Sequence, residues 1–244
     1  MKRFLLVFAI LILLGYLVFA ALYFKDNTHE KMCENFKVLV KDSINKQFIQ
    51  AEDIEQLLKK ANLHPLGKPL AEINTMEMEE AIRANKLVRT VDVYTTHRGS
   101  LVASIYQRNP VLRVISNRDG SYYIDSERER MPTSLNYTVY LPLAIGDITE
   151  EFAKNELYDF VMYISDKSYW DAWIEQIVVN NNNKVQLVPR AGDFKVTLGT
   201  LDNYREKLDK LKLFIDKGLN TVGWNRYSEV NLEYNNQVVC TLKQ

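Results

Sequence analysis

The stretch Phe4 to Phe24, FLLVFAILILLGYLVFAALYF, has 21 residues and no charge. As a helix rising about 1.5 Å per residue it reaches roughly 31 Å, close to the roughly 30 Å hydrocarbon core of a bilayer. No face of it is polar, which argues against a buried helix of a soluble protein. Lys2 and Arg3 precede it, and Lys25, Asp26 and Glu30 follow it. The basic residues in front predict a cytoplasmic N-terminus at 1–3, a transmembrane helix over 4–24, and the remaining chain on the far side of the membrane. Tyr23 falls near an interface, while Tyr16 is too central for an interfacial belt. A cleaved signal peptide is the rival reading. Val18-Phe19-Ala20 permits cleavage after Ala20, but a signal peptide's apolar run is usually about 7–15 residues.

The chain beyond the span is long enough for two small domains or one large one. The 31 basic residues balance the 31 acidic ones across the 244-residue chain, so no charge excess points to nucleic acid. Gly (9) and Pro (6) are scarce, which leaves no low-complexity linker. Cys33 and Cys240 are a pair too few for a disulfide framework. Both are expected to be unpaired, with Cys240 a small buried hydrophobe.

Residues 25–34 read as a polar stalk. Phe36 to Val40, FKVLV, has the Val content of a strand. Ile54, Leu57, Leu58 and Ala61 share one helical face, and Pro65 and Gly67 end that helix. Asn74 with Glu77 three residues on is a capping-box-like start for a shorter helix containing Met78, Ala81 and Ile82. Two alternating strands come next, Val91 with Val93 and then Leu101, Ala103 and Ile105, joined by a turn at Arg98-Gly99-Ser100. Strand, helix, helix, strand, strand predicts an α+β unit with both helices on one face of a three-stranded sheet. Asn109-Pro110 marks its boundary, since proline biases the preceding residue to an extended form.

The second half opens with strand 111–115, a turn at 117–120, and strand 122–124. Residues 125–136 read as a polar connection, and Tyr137, Val139 and Leu141 alternate before Pro142. Thr149 is the expected N-cap of one helix carrying Ala153, Leu157, Phe160, Val161 and Ile164. Trp173–Val179, Val185–Val188 and Phe194–Leu198 read as strands, with a turn at Asn180–Asn183. A second helix has Tyr204, Leu208, Leu211 and Ile215 on one face and Gly218 as its stop.

The chain then closes on residues 229–242. Val230, Leu232, Tyr234, Val238, Cys240 and Leu242 share one parity. A two-residue hairpin at Asn235-Asn236 would pair Glu233 with Val238 and mix polar with apolar on each face. A single strand keeps the phase, so one long strand is expected, over 40 Å at about 3.3 Å per residue. Such a strand belongs at a sheet edge, where an unpaired backbone is a template for another chain.

Catalytic chemistry is harder to place. His29, His64 and His97 lie far apart and near no Cys or acidic cluster at ligand spacing, so no metal site is predicted. No G-x-S-x-G, S-x-x-K or P-loop occurs. Asp166 with Asp171 is a carboxylate pair only in sequence, and isolated acids beside turns are usually solvated. Trp170 and Trp173 form a sugar platform on one reading and a core contact on the commoner one. Tyr122-Tyr123 reads as one ring in and one out, and Met76 with Met78 as core and rim. With no catalytic residue and no cofactor site, the expectation is a binding or scaffolding protein, not an enzyme.

The order of these elements resembles the bacterial cell-division family FtsQ/DivIB, over nearly the whole chain. The strings that carry the likeness are Gly67-Lys68-Pro69-Leu70 with Ile73-Asn74, Gln107-Arg108-Asn109-Pro110-Val111, Tyr123-Ile124-Asp125 with Met131-Pro132, and Val230-Asn231-Leu232-Glu233-Tyr234. The family turns on a glycine after its acidic residue, and Ser126 to Arg130 has none.

The resemblance implies an α+β chain: the transmembrane helix, a βααββ POTRA-like domain at 35–108, and a second mixed α/β domain at 109–244 with a mostly antiparallel sheet and two helices. It implies a single-pass inner-membrane scaffold at the division septum, its bulk periplasmic. Earlier division proteins would recruit the POTRA-like domain, and FtsB/FtsL-like coiled-coil proteins would bind the last strand. The expected partner-binding residues are Tyr234, Asn235, Asn236, Gln237, Val238, Val239, Cys240 and Thr241, with no small-molecule substrate. The alternatives are a POTRA-bearing envelope assembly factor, which would connect to an outer-membrane barrel, and a membrane-anchored envelope hydrolase.

Overall fold

The computed structural model describes residues 2–23, 31–41, 48–96, 99–134 and 137–243. The first element is helix α1, Lys2–Tyr23. Its side chains are described from 10 to 20, and the apolar ones from Ile10 to Phe19 are exposed. Among the described residues no helix is long and apolar enough to cross a membrane. His29, His97 and Arg98 lie outside the described residues, as does most of the expected stalk.

The chain divides into two compact units. One comprises Met1–Leu39, Ala51–Ile82 and Val91–Ser104, the other Val40–Gln50, Arg83–Thr90 and Ile105–Gln244. The βααββ order is present as β1 (Phe36–Val40), α2 (Ala51–Lys60), α3 (Thr75–Arg83), β2 (Val88–Thr95) and β3 (Leu101–Gln107). A 3-10 turn, Leu70–Glu72, precedes α3. The three strands form one sheet in the order β1-β3-β2. Ile54 and Leu58 of α2 and Met78 and Ile82 of α3 are buried, as the helical spacing predicts. The Asn74 side chain accepts from the Glu77 N–H at 3.2 Å, which caps α3.

The second unit holds a nine-stranded mixed sheet. Its strands are β4 (Pro110–Ser116), β5 (Gly120–Asp125), β6 (Arg130–Pro132), β7 (Leu143–Gly146), β8 (Ile174–Asn180), β9 (Lys184–Pro189), β10 (Lys195–Gly199), β11 (Tyr227–Asn231) and β12 (Val239–Leu242). They lie in the order β12-β11-β10-β9-β8-β7-β4-β5-β6. The pairs β4–β7, β7–β8 and β10–β11 are parallel and the other five antiparallel. Parallel neighbours need long crossovers. Helices α4 (Glu150–Lys154), α5 (Glu156–Ser165) and α6 (Ser168–Trp173) cross from β7 to β8. Helix α7 (Tyr204–Phe214), a π-turn at Ile215–Leu219 and α8 (Asn220–Val222) cross from β10 to β11.

One row of partners runs across the sheet: Tyr122, Val114, Ala144, Ile177, Leu187, Val196, Val230 and Cys240. The row packs in one core with Phe160, Val161 and Ile164 of α5 and Leu208 and Leu211 of α7.

Several expectations need correction. The domain has five helices among its described residues where two were expected. Thr149 does cap α4, its hydroxyl accepting from the Phe152 N–H at 3.2 Å. The single helix is broken at Asn155, whose φ −111° and ψ −98° are not helical. Trp173 ends helix α6 and does not begin a strand. Residues 137–142 belong to no strand. The helical run continues through Gly218 and stops at Gly223, whose φ of +96° suits glycine. Tyr122 and Tyr123 are both buried, at 1% exposure each.

Candidate partner-binding edge

The single terminal strand is also corrected. Residues 227–242 form a hairpin of β11 and β12 joined by a seven-residue loop, 232–238. A two-residue turn would break the alternation, but the longer loop does not. With it Val230 pairs with Cys240 and Asn231 with Val239. Apolar residues of both strands therefore face the core without a continuous strand. Leu232 and Val230 are fully buried, and Val238 and Cys240 pack partly against them. Asn236 turns the loop with φ +60°, a conformation Asn tolerates better than most residues.

The hairpin is fastened from several sides. The Leu232 N–H donates to Thr197 O at 2.9 Å, and the Glu233 N–H donates to Asn231 Oδ1 at 2.9 Å. Lys184 Nζ lies 2.9 Å from Glu233 Oε1, and this ammonium holds the Glu233 carboxyl below the usual carboxylate range. Lys210 Nζ donates to Tyr234 O at 2.9 Å. Lys243 fixes the far end, its N–H on Arg226 O at 3.1 Å and its Nζ 2.9 Å from Asp193 Oδ2. Gly199 of β10 has φ +73°, and an added Cβ would press on the Glu233 side chain at 2.5 Å. Burial pushes the Cys240 thiol up, which favours its neutral form.

The eight expected site residues divide by position. Tyr234, Asn235, Asn236 and Gln237 are exposed loop residues, and the Tyr234 ring is half exposed. Val238 leads into β12, and Val239, Cys240 and Thr241 lie on it. Beyond β12 the sheet has no further strand among the described residues. Val239 and Leu242 are exposed apolar side chains on this edge. Leu242 lies outside the residues that the sequence pattern selected; its parity with Cys240 was the available signal.

The other sequence candidates do not assemble into a site. Trp170 and Trp173 are buried and stack edge to face with centroids 5.8 Å apart, which leaves no open ring for a sugar. Asp166 and Asp171 are exposed, and Asp166 pairs with Lys167. Cys33 and Cys240 are both free. Cys240 is half-buried, less than expected. Among the described residues no group of three or more His, Cys, Asp or Glu side chains is placed to hold a metal ion.

The junction string acquires a physical role. Asp125, 1% exposed, accepts from Arg108 Nη1 at 2.7 Å and from the N–H groups of Glu127 and Glu129 at 2.9 and 2.8 Å. In the turn from Ser126 to Arg130, which has no glycine, Arg128 takes φ +64°. Its guanidinium lies 4.3 Å from the Tyr158 ring centroid and 2.6 Å from Asp159 Oδ1, contacts that offset the strain.

A βααββ unit is followed along the chain by a mixed sheet whose terminal edge strand is unpaired among the described residues. The POTRA-like domain model matches residues 31–106, and the model described as FtsQ/DivIB, C-terminal related, matches residues 109–241. The chain therefore belongs to the FtsQ/DivIB family and is a division-related POTRA protein. No curated protein matches it.

Proposed function

We propose that the protein is a single-pass inner-membrane scaffold of the division machinery, and that β12 takes up an extended segment of an FtsB/FtsL-like coiled-coil partner by strand addition. The observation that carries this reading is the β12 edge, uncharged and free of proline, within the FtsQ/DivIB-related domain. Added main-chain hydrogen bonds are each worth about 0.5–1.5 kcal/mol net. Ordering the partner segment costs about 2–5 kcal/mol. Side-chain burial has to supply the difference, and Tyr234, Val239 and Leu242 are the apolar surface at hand.

The anchor is read from the uncharged run 4–24 and from the apolar side chains of Ile10 to Phe19, exposed along α1 with no polar face. An N-terminus in the cytoplasm would leave both units in the periplasm. Anchoring confines partners to one plane and raises their effective concentration, so a modest pairwise affinity serves. Earlier division proteins would recruit the molecule through its POTRA-like domain. The protein acts by binding, without cofactor or chemistry of its own.

In-cell photo-crosslinking tests this reading, with the probe placed singly at Asn235, Gln237 and Val239. Adducts to a small coiled-coil membrane protein are expected. Strong adducts from positions in 36–106 and none from the hairpin would move the working surface to the POTRA-like domain.

A further inference from the structure

The first described residues after α1 are tied into the POTRA-like domain by a short ladder. The Cys33 N–H donates to Lys68 O at 2.9 Å, the Gly67 N–H to Cys33 O at 3.0 Å, and the Leu70 N–H to Lys31 O at 2.9 Å. Met32 bridges Pro69. Cys33 is buried, while its neighbour Met32 and the loop residue Leu66 are 47% and 48% exposed. Lysines surround this knot. Lys68 Nζ donates to Asn62 O at 2.9 Å, and the Asn62 N–H donates to Lys59 O at 3.1 Å. Burial, with Lys59 and Lys68 adding to it, depresses the His64 imidazole and leaves it neutral at pH 7. Residues 56–71 contain Lys59, Lys60 and Lys68 and no acid; the acids nearest in sequence to these lysines and to Lys31 are Glu30, Glu34, Glu55 and Glu72.

We propose that this end of the domain, Lys31, Lys59, Lys60 and Lys68 around the exposed Met32 and Leu66, docks on the anionic headgroups of the bilayer that holds α1. The inference rests on the proposed membrane anchor. Eight peptide steps separate Tyr23 from Lys31, so the patch is held within about 29 Å of the helix end, whatever path the chain takes. Lysine stems lie along an apolar boundary while their ammonium groups reach phosphates, and a Met and a Leu beside them bury in the interface. An acidic protein would satisfy the charge, but the tether supplies the lipid surface first.

The test uses the full chain reconstituted in vesicles of phosphatidylcholine alone or with about a third phosphatidylglycerol. A fluorophore is placed at Leu66→Cys or, as a control at the opposite end of α2, at Glu52→Cys, each in a Cys240→Ser background. Headgroup-level lipid quenchers report proximity. The expected result is about twofold or greater extra quenching at position 66 in the anionic vesicles, little change at position 52, and loss of the difference near 1 M salt, where the Debye length is about 3 Å. Lys59→Glu with Lys60→Glu should remove it as well, and the salt arm needs no substitution that could perturb folding. Equal quenching in both lipids, or at both positions, overturns the docking while leaving the anchor. Protein that fails to float with either vesicle after carbonate washing overturns the anchor, and the docking with it.

Discussion

At one edge of the nine-stranded sheet, β6 offers three residues, Arg130, Met131 and Pro132. At the other, β12 offers Val239, Cys240, Thr241 and Leu242. Proline cannot donate to a further strand, and a charged edge residue resists pairing. Arg130 is also engaged, with Nη1 3.0 Å from Glu150 Oε2 and its guanidinium over the Tyr122 ring at 4.3 Å. The β6 edge is closed by its own chemistry. The β12 edge has no proline and no charge, and its exposed apolar residues face outward. Two edges of one sheet thus show that an open strand is a choice of sequence and not a default of the fold.

The largest effect that can break this comparison is loss of the hairpin itself. Leu232 is fully buried and its N–H is bound to Thr197 O. Leu232→Ala should cost about 2–5 kcal/mol of stability and abolish partner capture, seen in denaturant melts and co-purification. Met131→Ala, at an equally buried site on the closed edge, should cost a similar amount and leave capture intact once the folded fraction is matched. If both variants lose capture equally, the edges do not differ in function.

A smaller change puts the guard of one edge onto the other. Thr241 is exposed on β12, so Thr241→Lys should leave the melting temperature nearly unchanged. It should weaken partner binding about tenfold, or about 1.4 kcal/mol. Tyr234→Ala removes an exposed ring from the loop and should cost more than about 1 kcal/mol of binding at unchanged stability. An unaltered affinity in a folded Tyr234→Ala protein would exclude that ring from the interface.

The features legible in the sequence were local. The Asn74–Glu77 and Thr149–Phe152 caps, the buried faces of α2 and α3, and the alternation of Val91 with Val93 in β2 each depend on residues a few positions apart, whereas β3 is buried at five successive residues and does not alternate. The errors came from two sources. Helix α6 carries Trp170 and Trp173 three residues apart, a spacing too short to separate from a strand entry, and the break at Asn155 has no proline or glycine to announce it. The remaining errors are non-local. Nothing within residues 143–146 says that β7 lies between β4 and β8, because that order is fixed by crossovers through α4 to α6. The terminal segment does lie at a sheet edge, yet its hairpin is hidden from a parity test limited to the tightest turn. The pairing of Val230 with Cys240 shows that a loop of seven residues keeps both strands in phase.

The weakest interaction sharpens the comparison most finely, since it lies at the root of the open hairpin. Glu233 pairs with Lys184, and both side chains are partly exposed, at 31% and 53%. An exposed pair of this kind contributes about 0.2–1 kcal/mol. The Glu233 pKa is depressed in the folded state, chiefly by the hydrogen bond from Lys184. Its stabilisation is therefore fully present above the unfolded value of about 4.3, and is lost as the pH falls through the lower folded value. Lys184→Ala should lower stability by less than about 1 kcal/mol at pH 7, with the difference shrinking below about pH 4.3. Urea melts of both proteins across that range measure it. A difference that stayed constant into strong acid would mean that Lys184 acts by packing its stem along the hairpin. The charge of the Lys184–Glu233 pair would then add nothing to the other fastenings of the hairpin, those of Leu232, Lys210 and Lys243.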